Sequence, residues 1–189
     1  MRSLFSRKTV LLQTPKPPGC VLLLVDWENL FFTLLSRFGL EDVHIEERVK
    51  KLMEWIQAEI GELLGGHGFV FAPEHQLSSH QGMCAKNNLW LMTCPKRSKG
   101  VGQGEEDTVD ETLISFGKIM LRHPDVKFIC LVSGDEDFLP LLEEAKKYKV
   151  KVALVAPTIG SLSSQGGLLR FVDKGPITLA RMFLRLDIV

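Results

Sequence analysis

Residues 21–29 read VLLLVDWEN, a continuous apolar run that ends in a polar stretch with two carboxylates. Because no polar residue interrupts the run, it is typical of a parallel strand that is covered on both faces. Residues 128–138 repeat the arrangement, since the run FICLV is followed by SGDEDF, which carries three more acids. The two stretches predict buried parallel strands that each end in acidic side chains.

Further apolar runs alternate with helical patterns along the chain. The spacing of apolar residues predicts helices at about 46–64, 108–122 and 138–148. Five strands are expected, at Val21–Asp26, Phe69–Ala72, Leu89–Cys94, Lys127–Ser133 and Lys151–Ala156. This alternation predicts an α/β fold, a Rossmann-like three-layer sandwich with a mainly parallel central sheet. From residue 168 onward, short apolar pieces give no clear pattern.

Length and composition favour one domain behind a short basic arm. The chain has 189 residues, of which 45% are hydrophobic and 24% are charged, and its formal net charge is zero. These values suit one globular domain with a sizeable core, which we place at residues 20–189. Residues 1–19 contain basic side chains and prolines but no acid. They predict a basic N-terminal arm, with an organelle transit peptide as the less favoured alternative.

Cysteine usage and hydropathy bear on the location of the protein. Cys20, Cys84, Cys94 and Cys130 form no CxxC pair. Reduced, largely buried thiols of this kind are typical of a cytoplasmic protein. No apolar run reaches the length of a membrane-spanning helix, so no membrane partner is expected. A net charge of zero gives no overall attraction for nucleic acid, and binding would need a local basic patch.

Three acidic groups follow or open the predicted elements, and we expect them to meet. In an open parallel sheet, ligands bind outside the carboxyl ends of the strands, where Asp26 and the acids of residues 135–137 would lie. The third group is Asp107-Thr108-Val109-Asp110, at the start of a predicted helix. Converging carboxylates repel one another unless a hard cation such as Mg²⁺ or Mn²⁺ neutralises them. The pattern predicts a metal site suited to phosphodiester chemistry, although each acid taken alone could instead cap a helix.

The same stretches resemble the NYN domains, a PIN-like group of metal-dependent ribonucleases. The similarity rests on three motifs, Leu24–Asn29, Asp107–Asp110 and Ser133–Phe138, the last followed by Pro140-Leu141. It extends from about Cys20 to the C-terminus, and Phe171-Val172-Asp173 is similar to the closing aspartate segment of the family. The resemblance implies a PIN-like fold and hydrolysis of single-stranded or flexible RNA with Mg²⁺ or Mn²⁺.

Carried over by position, the resemblance also implies the residues of the site. The catalytic residues would be Asp26, Asn29, Asp110, Asp135 and Asp137, and the metal ligands Asp26, Asp107, Asp110, Asp135 and Asp137. Ser133 would support the site by orienting an aspartate or the substrate. Many relatives have a further acid where this chain has Ser115 and Phe116. The number of metal ions and the shares of Asp107 and Asp110 therefore stay open.

Lys96, Arg97 and Lys99 are the predicted contacts to substrate phosphates, together with Ser133. The three basic residues belong to a glycine-rich segment, residues 96–104, that precedes the middle acidic motif. Such a segment could hold a nucleic-acid backbone beside the metal, because cationic side chains bind phosphate without reading sequence. A solvated loop without function is the equal alternative.

Other functions fit parts of the pattern. A protein that keeps the fold and the acids could bind RNA as a regulatory module without cleaving it. A haloacid-dehalogenase-like phosphatase is less favoured, because such enzymes have a second aspartate two residues after the first, where this chain has Glu28. A zinc site is also less favoured, because its candidate ligands fit no standard spacing: His75, His80, Cys84 and Cys94. Trp27 could stack on a base or cover the sheet. The RNA target, endonucleolytic or exonucleolytic action, and homodimer formation stay open.

Overall fold

The structure, a computed structural model, describes residues 19–39, 42–77, 80–98, 105–106, 108–156 and 167–179. Residues 1–18 of the predicted arm lie outside these ranges, as do Lys99 and Asp107. The strands are β1 Cys20–Asp26, β2 Gly68–Pro73, β3 Leu89–Cys94, β4 Arg97–Ser98, β5 Glu105–Glu106, β6 Val126–Val132, β7 Lys151–Ala156 and β8 Lys174–Thr178. The helices are α1 Trp27–Phe38, α2 Asp42–Glu59, α3 Glu74–Leu77, α4 Gln81–Lys86, α5 Val109–Met120 and α6 Leu139–Lys147. Within the described ranges, no helix is long and apolar enough to cross a membrane.

Six strands form one sheet in the order β3-β2-β1-β6-β7-β8, and every neighbouring pair runs parallel. Counted along the chain, the strands of this sheet follow the order 3-2-1-4-5-6, which is that of the Rossmann fold. The chain builds outward from β1 in one direction and, after β3, returns to build outward from β6 in the other. The topological switch point therefore lies between β1 and β6. The predicted α/β class and parallel central sheet are confirmed.

The apolar run of β1 supplies both faces of the sheet. Val21, Leu23 and Val25 pack with the cores of α1, α2 and α4. Leu22 and Leu24 pack on the opposite face with α5 and α6. All five side chains are buried, which removes apolar surface from water on both sides of the strand. The run is continuous for this reason, and the helices on its two faces complete three layers.

The helix predicted at 46–64 lies at Asp42–Glu59 instead. Gly61, two residues after the last helical residue, has φ 153°, a backbone conformation that favours glycine and ends the helix. Gly65, with φ 61°, lies in the later 3₁₀ turn Leu64–Gly66. Leu63 and Leu64 have helical spacing in the sequence, but they belong to the turn that leads into β2. Leu63 is buried there and bridges to Val21. Apolar residues in a buried turn thus extended the helical pattern beyond the true end of the helix.

Two sets of strands were not predicted. Strand β8 lies at the edge of the sheet, in the tail that gave no pattern, and its Gly175-Pro176 pair interrupts the apolar run. Proline is tolerated in an edge strand because that strand need not donate every ladder hydrogen bond. Strands β4 and β5 pair antiparallel, so part of the basic segment at 96–104 begins a short two-stranded ribbon.

Asp173 joins the start of β7 to the turn that precedes β8. Its backbone N donates to Val152 O at 2.9 Å, and its Oδ2 accepts from Val152 N at 2.8 Å. Val152 lies near the N-terminal end of β7, at the end of the sheet opposite the carboxyl ends of the strands. The side chain serves as an acceptor directly before the first paired residues of β7 and β8, Ala153 and Lys174. The closing aspartate of the resemblance therefore has a structural role.

We expect Asp173→Ala to lower the free energy of unfolding by about 1–2 kcal/mol, because the partly buried Val152 N–H would lose its acceptor. Asp173→Asn keeps an acceptor oxygen and should lower it less. Urea denaturation followed by circular dichroism measures both changes. An alanine variant as stable as the wild type would show that this hydrogen bond does not hold β7 in place.

Candidate active site

A cavity of about 400 Å³ opens at the carboxyl ends of β1 and β6. Its lining comes from β1, α1, α5 and the turn after β6, and consists of Asp26, Glu28, Asn29, Phe32, Thr33, Ser36, Val109, Asp110 and Asp135. Of these nine described residues, four carry a carboxylate and none carries a positive charge. Open parallel sheets bind ligands at this position, so the cavity is the candidate active site.

Asp26 ends β1 and caps α1. Its Oδ1 accepts from Asn29 N at 3.2 Å, which satisfies one of the free N–H groups in the first turn of the helix. Its Oδ2 accepts from Ser133 Oγ at 3.0 Å. Asp26 is only 6% exposed. Both carboxylate oxygens are therefore fixed in orientation by groups from two separate elements.

The turn after β6 is bound to the start of α1 by its polar side chains. Parallel pairing of Val25 with Val132 brings the next residue, Ser133, beside Asp26. Ser133 is 1% exposed, and its Oγ accepts from Asp135 N at 3.2 Å while it donates to Asp26. Asn29 Oδ1 accepts from Gly134 N at 3.3 Å. Asn29 lines the cavity, whereas Ser133 lies behind it and orients Asp26.

The two aspartates of the SGDEDF turn are placed differently. Asp135 is exposed and lines the cavity. Its Oδ1 accepts from Asp137 N at 3.0 Å and caps a 3₁₀ turn, Glu136–Phe138. Asp137 is also exposed and lies inside this 3₁₀ turn, but it is not part of the lining. The structure brings Asp26, Asp110 and Asp135 together and leaves Asp137 outside.

Asp110 reaches the cavity from the first turn of α5. The start of this helix is held to the end of β3, since Thr108 Oγ1 donates to Pro95 O at 2.5 Å. Asp107, the other candidate of the middle motif, lies outside the described residues. The helix thus adds a carboxylate from the face of the sheet opposite α1.

Burial and charge act together on Asp26. Burial is the main cause that raises the pKa of its carboxyl from the ordinary 3.8 to about 6. The hydrogen bonds from Asn29 N and Ser133 Oγ lower this pKa, and the nearby Asp110 and Asp135 carboxylates raise it further. The ionised form of Asp26 is therefore unfavourable by itself, and a cation in the cavity would stabilise it.

The donor set suits a hard divalent cation that is held partly through water. Among the described residues, no three His, Cys, Asp or Glu side chains lie close enough to bind one ion directly. Mg²⁺ usually takes one or two protein carboxylates and keeps several waters, with substrate phosphate oxygens as further ligands. Asp26, Asp110 and Asp135 present oxygen ligands around one open cavity and fit this mode of binding.

The zinc alternative and base stacking by Trp27 gain no support. The His80 ring packs against Trp27 and Phe31, with ring centroids 5.1 and 4.9 Å apart. Trp27 is 1% exposed and belongs to the core, so it covers the sheet. Cys84 is buried, and burial raises the pKa of its thiol to about 11. The side chain of His75 lies outside the described part of the chain.

Lys96 and Arg97, two of the predicted phosphate contacts, lie beside the acidic cavity and not in it. Lys96 and Arg97 line a second cavity of about 600 Å³ along α5. Arg97 donates to both carboxylate oxygens of Glu111, at 3.3 and 2.7 Å, so its charge is compensated. Asp110 and Glu111 are adjacent in α5 but face different cavities. Lys99 is not among the described residues.

Sequence reasoning missed five residues of the lining: Glu28, Phe32, Thr33, Ser36 and Val109. Three of them follow Asn29 at spacings of three, four and seven, which share one face of a helix. Recognising Asp26 as the cap would have fixed the start of α1 and predicted this face. Glu28 accepts a hydrogen bond from Gln76 Nε2, which ties α1 to α3.

Comparison with known proteins supports the assignment of the fold and the family resemblance. The NYN domain family model matches residues 21–173. The crystal structure of a protein of unknown function from Vibrio parahaemolyticus is similar, with a TM-score of 0.66. The two chains are 19% identical, and the alignment covers 88% of this chain and 96% of the other. At this identity the likeness shows the fold alone. A search of curated proteins gives no significant match.

We expect Asp26→Asn to stabilise the protein at pH 8 in EDTA. The pKa of Asp26 is raised in the folded state, so its contribution to stability is present below about pH 4 and is lost as the pH rises through about 6. Asparagine is neutral at both pH values and keeps an acceptor for Asn29 N. The gain at pH 8 should be about 1–3 kcal/mol, and it should vanish near pH 3.5.

Urea denaturation at the two pH values measures this difference. Asp125→Asn is the matched control, since it makes the same change at an exposed residue directly before β6, at the other end of the sheet. Its effect on stability should be small at both pH values. If Asp26→Asn is no more stable than the wild type at pH 8, the ionised Asp26 carboxylate does not destabilise the folded protein.

Proposed function

Because the chain belongs to the NYN domain family of PIN-like nucleases, we propose that it is a metal-dependent ribonuclease that hydrolyses phosphodiester bonds of single-stranded or flexible RNA. The observation that carries the proposal is the convergence of Asp26, Asp110 and Asp135 on one open cavity at the switch point. These acids come from a strand end, a helix start and a distant turn. Helix capping explains Asp26 and Asp135 singly, but it does not explain why all three carboxylates share a cavity.

Asp26, Asp110 and Asp135 would hold the cation, with Asp26 as the fixed ligand. Its two oxygens are oriented by Asn29 N and Ser133 Oγ, so little rearrangement is needed when a ligand binds. Mg²⁺ or Mn²⁺, when bound, would supply the positive charge that attracts a phosphate oxygen and lowers the pKa of a bound water molecule. Without that charge the carboxylates would repel the RNA backbone.

Asn29 and Ser133 act as positioning residues. Asn29 Oδ1 holds Gly134 N, and Ser133 Oγ holds Asp135 N, so the turn that presents Asp135 is fixed against the start of α1. Partners that orient metal ligands in this way typically change metal affinity or activity by about 10–100-fold when they are removed. The proposed role of Asp137 is a lesser one, as an outer contact to water or substrate, because it does not line the cavity. Asp107 stays a candidate ligand beside Asp110.

A non-catalytic RNA-binding module is the second candidate. It is favoured by the spacing of the acids, since no three described His, Cys, Asp or Glu side chains lie close enough to bind one ion directly and a module that does not cleave needs no metal site. Such a module, however, gains nothing from carboxylates clustered beside a polyanion. Ribonuclease activity therefore remains the preferred function.

The cysteines support a cytoplasmic location for the proposed enzyme. Cys20, Cys84, Cys94 and Cys130 are all free thiols, and three of them are buried. Burial raises the pKa of Cys130 to about 12, so this thiol stays protonated at neutral pH. Free, largely buried thiols are typical of reducing compartments. The family match begins at residue 21, which supports a domain boundary after the basic arm at residues 1–19.

Purified protein should cut a labelled single-stranded RNA with Mn²⁺ or Mg²⁺, and excess EDTA should stop the reaction. Asp26→Asn and Asp135→Asn should each lower the initial rate about 100-fold or more, because a lost ligand removes several kcal/mol of transition-state stabilisation. Asp137→Asn should lower it less, since its carboxylate does not line the cavity. Denaturing gels of the cleavage products give the rates.

Contaminating nucleases are the main confounder of this assay. Asp125→Asn, purified in the same way, should keep the wild-type rate, since its carboxylate lies at the opposite end of β6. Cleavage by Asp26→Asn at the wild-type rate would remove the acids from the mechanism. RNA binding without cleavage in either metal would favour the binding module.

Lys96→Ala should weaken RNA binding and reduce the slope of log Kd against log salt by about 0.7, the change expected for one phosphate contact on a single strand. Arg97→Ala should change the slope less, because Glu111 already compensates its charge. Glu111→Gln should strengthen RNA binding and increase this slope, because it removes the charge that compensates Arg97. Fluorescence anisotropy with Ca²⁺ in place of Mg²⁺ measures the affinities. Slopes that none of the three variants changes would place the RNA path elsewhere, such as on the N-terminal arm.

A further inference from the structure

Phe32 is an exposed aromatic residue on the wall of the acidic cavity. Its side chain is 55% exposed, and it is the only aromatic residue among the nine described residues of the lining. A single exposed apolar residue is ordinary on a protein surface. Phe32 differs because it shares a cavity with three converging carboxylates, where a polar residue would be better solvated. Its position calls for a ligand with an apolar face.

The wall on which Phe32 stands leads away from the acids. Asn29, Phe32, Thr33 and Ser36 lie on one face of α1 and line the cavity together. With a rise of 1.5 Å per residue, Phe32 lies about 4.5 Å and Ser36 about 10 Å further along the helix than Asn29. Asn29 is bound to the acidic turn through Gly134 N. A group attached to a phosphate at the carboxylates would therefore meet Phe32 next.

The remaining polar groups of this wall are occupied by the helix itself. Thr33 Oγ1 donates to Asn29 O at 2.6 Å, and Ser36 Oγ donates to Phe32 O at 2.5 Å. Their hydroxyl protons are used in these bonds, which leaves the wall poor in donors for a ligand. The Phe32 ring meets the ring of Phe31 edge-on, with centroids 6.1 Å apart, and Phe31 in turn stacks on Trp27. The exposed ring thus rests on a supported aromatic base.

We propose that Phe32 is a stacking platform for the nucleobase next to the scissile phosphate. The proposal rests on the proposed ribonuclease function and names how the same site holds its substrate. Aromatic side chains stack on any base, because every base has a π face, and they do so without reading sequence. Paired bases of a duplex are already stacked and are not available to Phe32. The platform therefore gives the cavity a preference for single strands.

A short single-stranded RNA with one abasic nucleotide at successive positions tests the platform. Binding is measured by anisotropy in Ca²⁺, and cleavage by kcat/KM in Mn²⁺. Phe32→Ala should bind the intact RNA about 10-fold more weakly than the wild type does, a factor within the range known for base–aromatic stacking. When the missing base is the one that stacks on Phe32, the wild type should bind the abasic RNA about 10-fold more weakly than the intact RNA. Phe32→Ala should bind the two RNAs equally well, because the protein change and the RNA change remove the same contact.

Two further variants and a control separate stacking from packing. Phe32→Leu keeps an apolar contact with Phe31 but has no π face, and it should bind as weakly as Phe32→Ala. Phe32→Trp should bind at least as tightly as the wild type. Trp90 is equally exposed, at 55%, but lines a different cavity, so Trp90→Ala should leave binding unchanged. Urea midpoints equal to that of the wild type would show that all variants are folded.

The outcomes distinguish the platform from the enzymatic function. An abasic effect that depends on Phe32 in Ca²⁺, with no cleavage in Mn²⁺, would support the platform and overturn the ribonuclease. The platform would be overturned, and the ribonuclease left intact, if the protein cleaves RNA but the losses of binding free energy from Phe32→Ala and from each abasic position are additive. Binding by Phe32→Leu as tight as that of the wild type would also overturn the platform.

Discussion

The hydrogen bond from Ser133 Oγ to Asp26 Oδ2 is the contact on which the site depends, and it joins residues 107 positions apart in the chain. A carboxylate that is almost fully buried is tolerated only where donors satisfy it. Asp26 takes one donor from the first turn of α1 and the other from the turn after β6. The end of β1, the start of α1 and the acidic turn are therefore held in one arrangement.

The switch point converts this local contact into a cavity. Helix α1 packs on one face of the sheet and α5 on the other, so the chain diverges on both sides where β1 and β6 end. Asp110 enters from one face and Phe32 from the other, with Asp26 between them. The carboxylates lie close enough to raise the pKa of Asp26, yet no three described ones can bind an ion directly. Water and phosphate have room between them.

The continuous run of β1 made the sheet predictable, and the position of Asp26 at its end made the switch point predictable with it. Asp137 shows the limit, because spacing alone could not reveal the 3₁₀ turn that separates it from Asp135. Strand β8 was hidden because a proline interrupts its pattern at the sheet edge. Phe32 was hidden for another reason: an exposed phenylalanine in a helix gives the same pattern as a buried one until the facing surface is known.

The charge distribution sets how such a site would attract RNA. The net charge is zero and Arg97 is paired with Glu111, so the protein attracts RNA only weakly over long range. The carboxylates of the cavity, without a cation, repel the RNA backbone. In the proposed enzyme, binding must then come from short-range contacts, namely a phosphate held through the cation, a base stacked on Phe32 and the one backbone contact proposed for Lys96. Stacking releases no counterions, whereas each backbone contact to a basic side chain does. An enzyme built in this way depends less on ionic strength than one that binds RNA through a basic groove, and more on whether the bases of its substrate are free to stack.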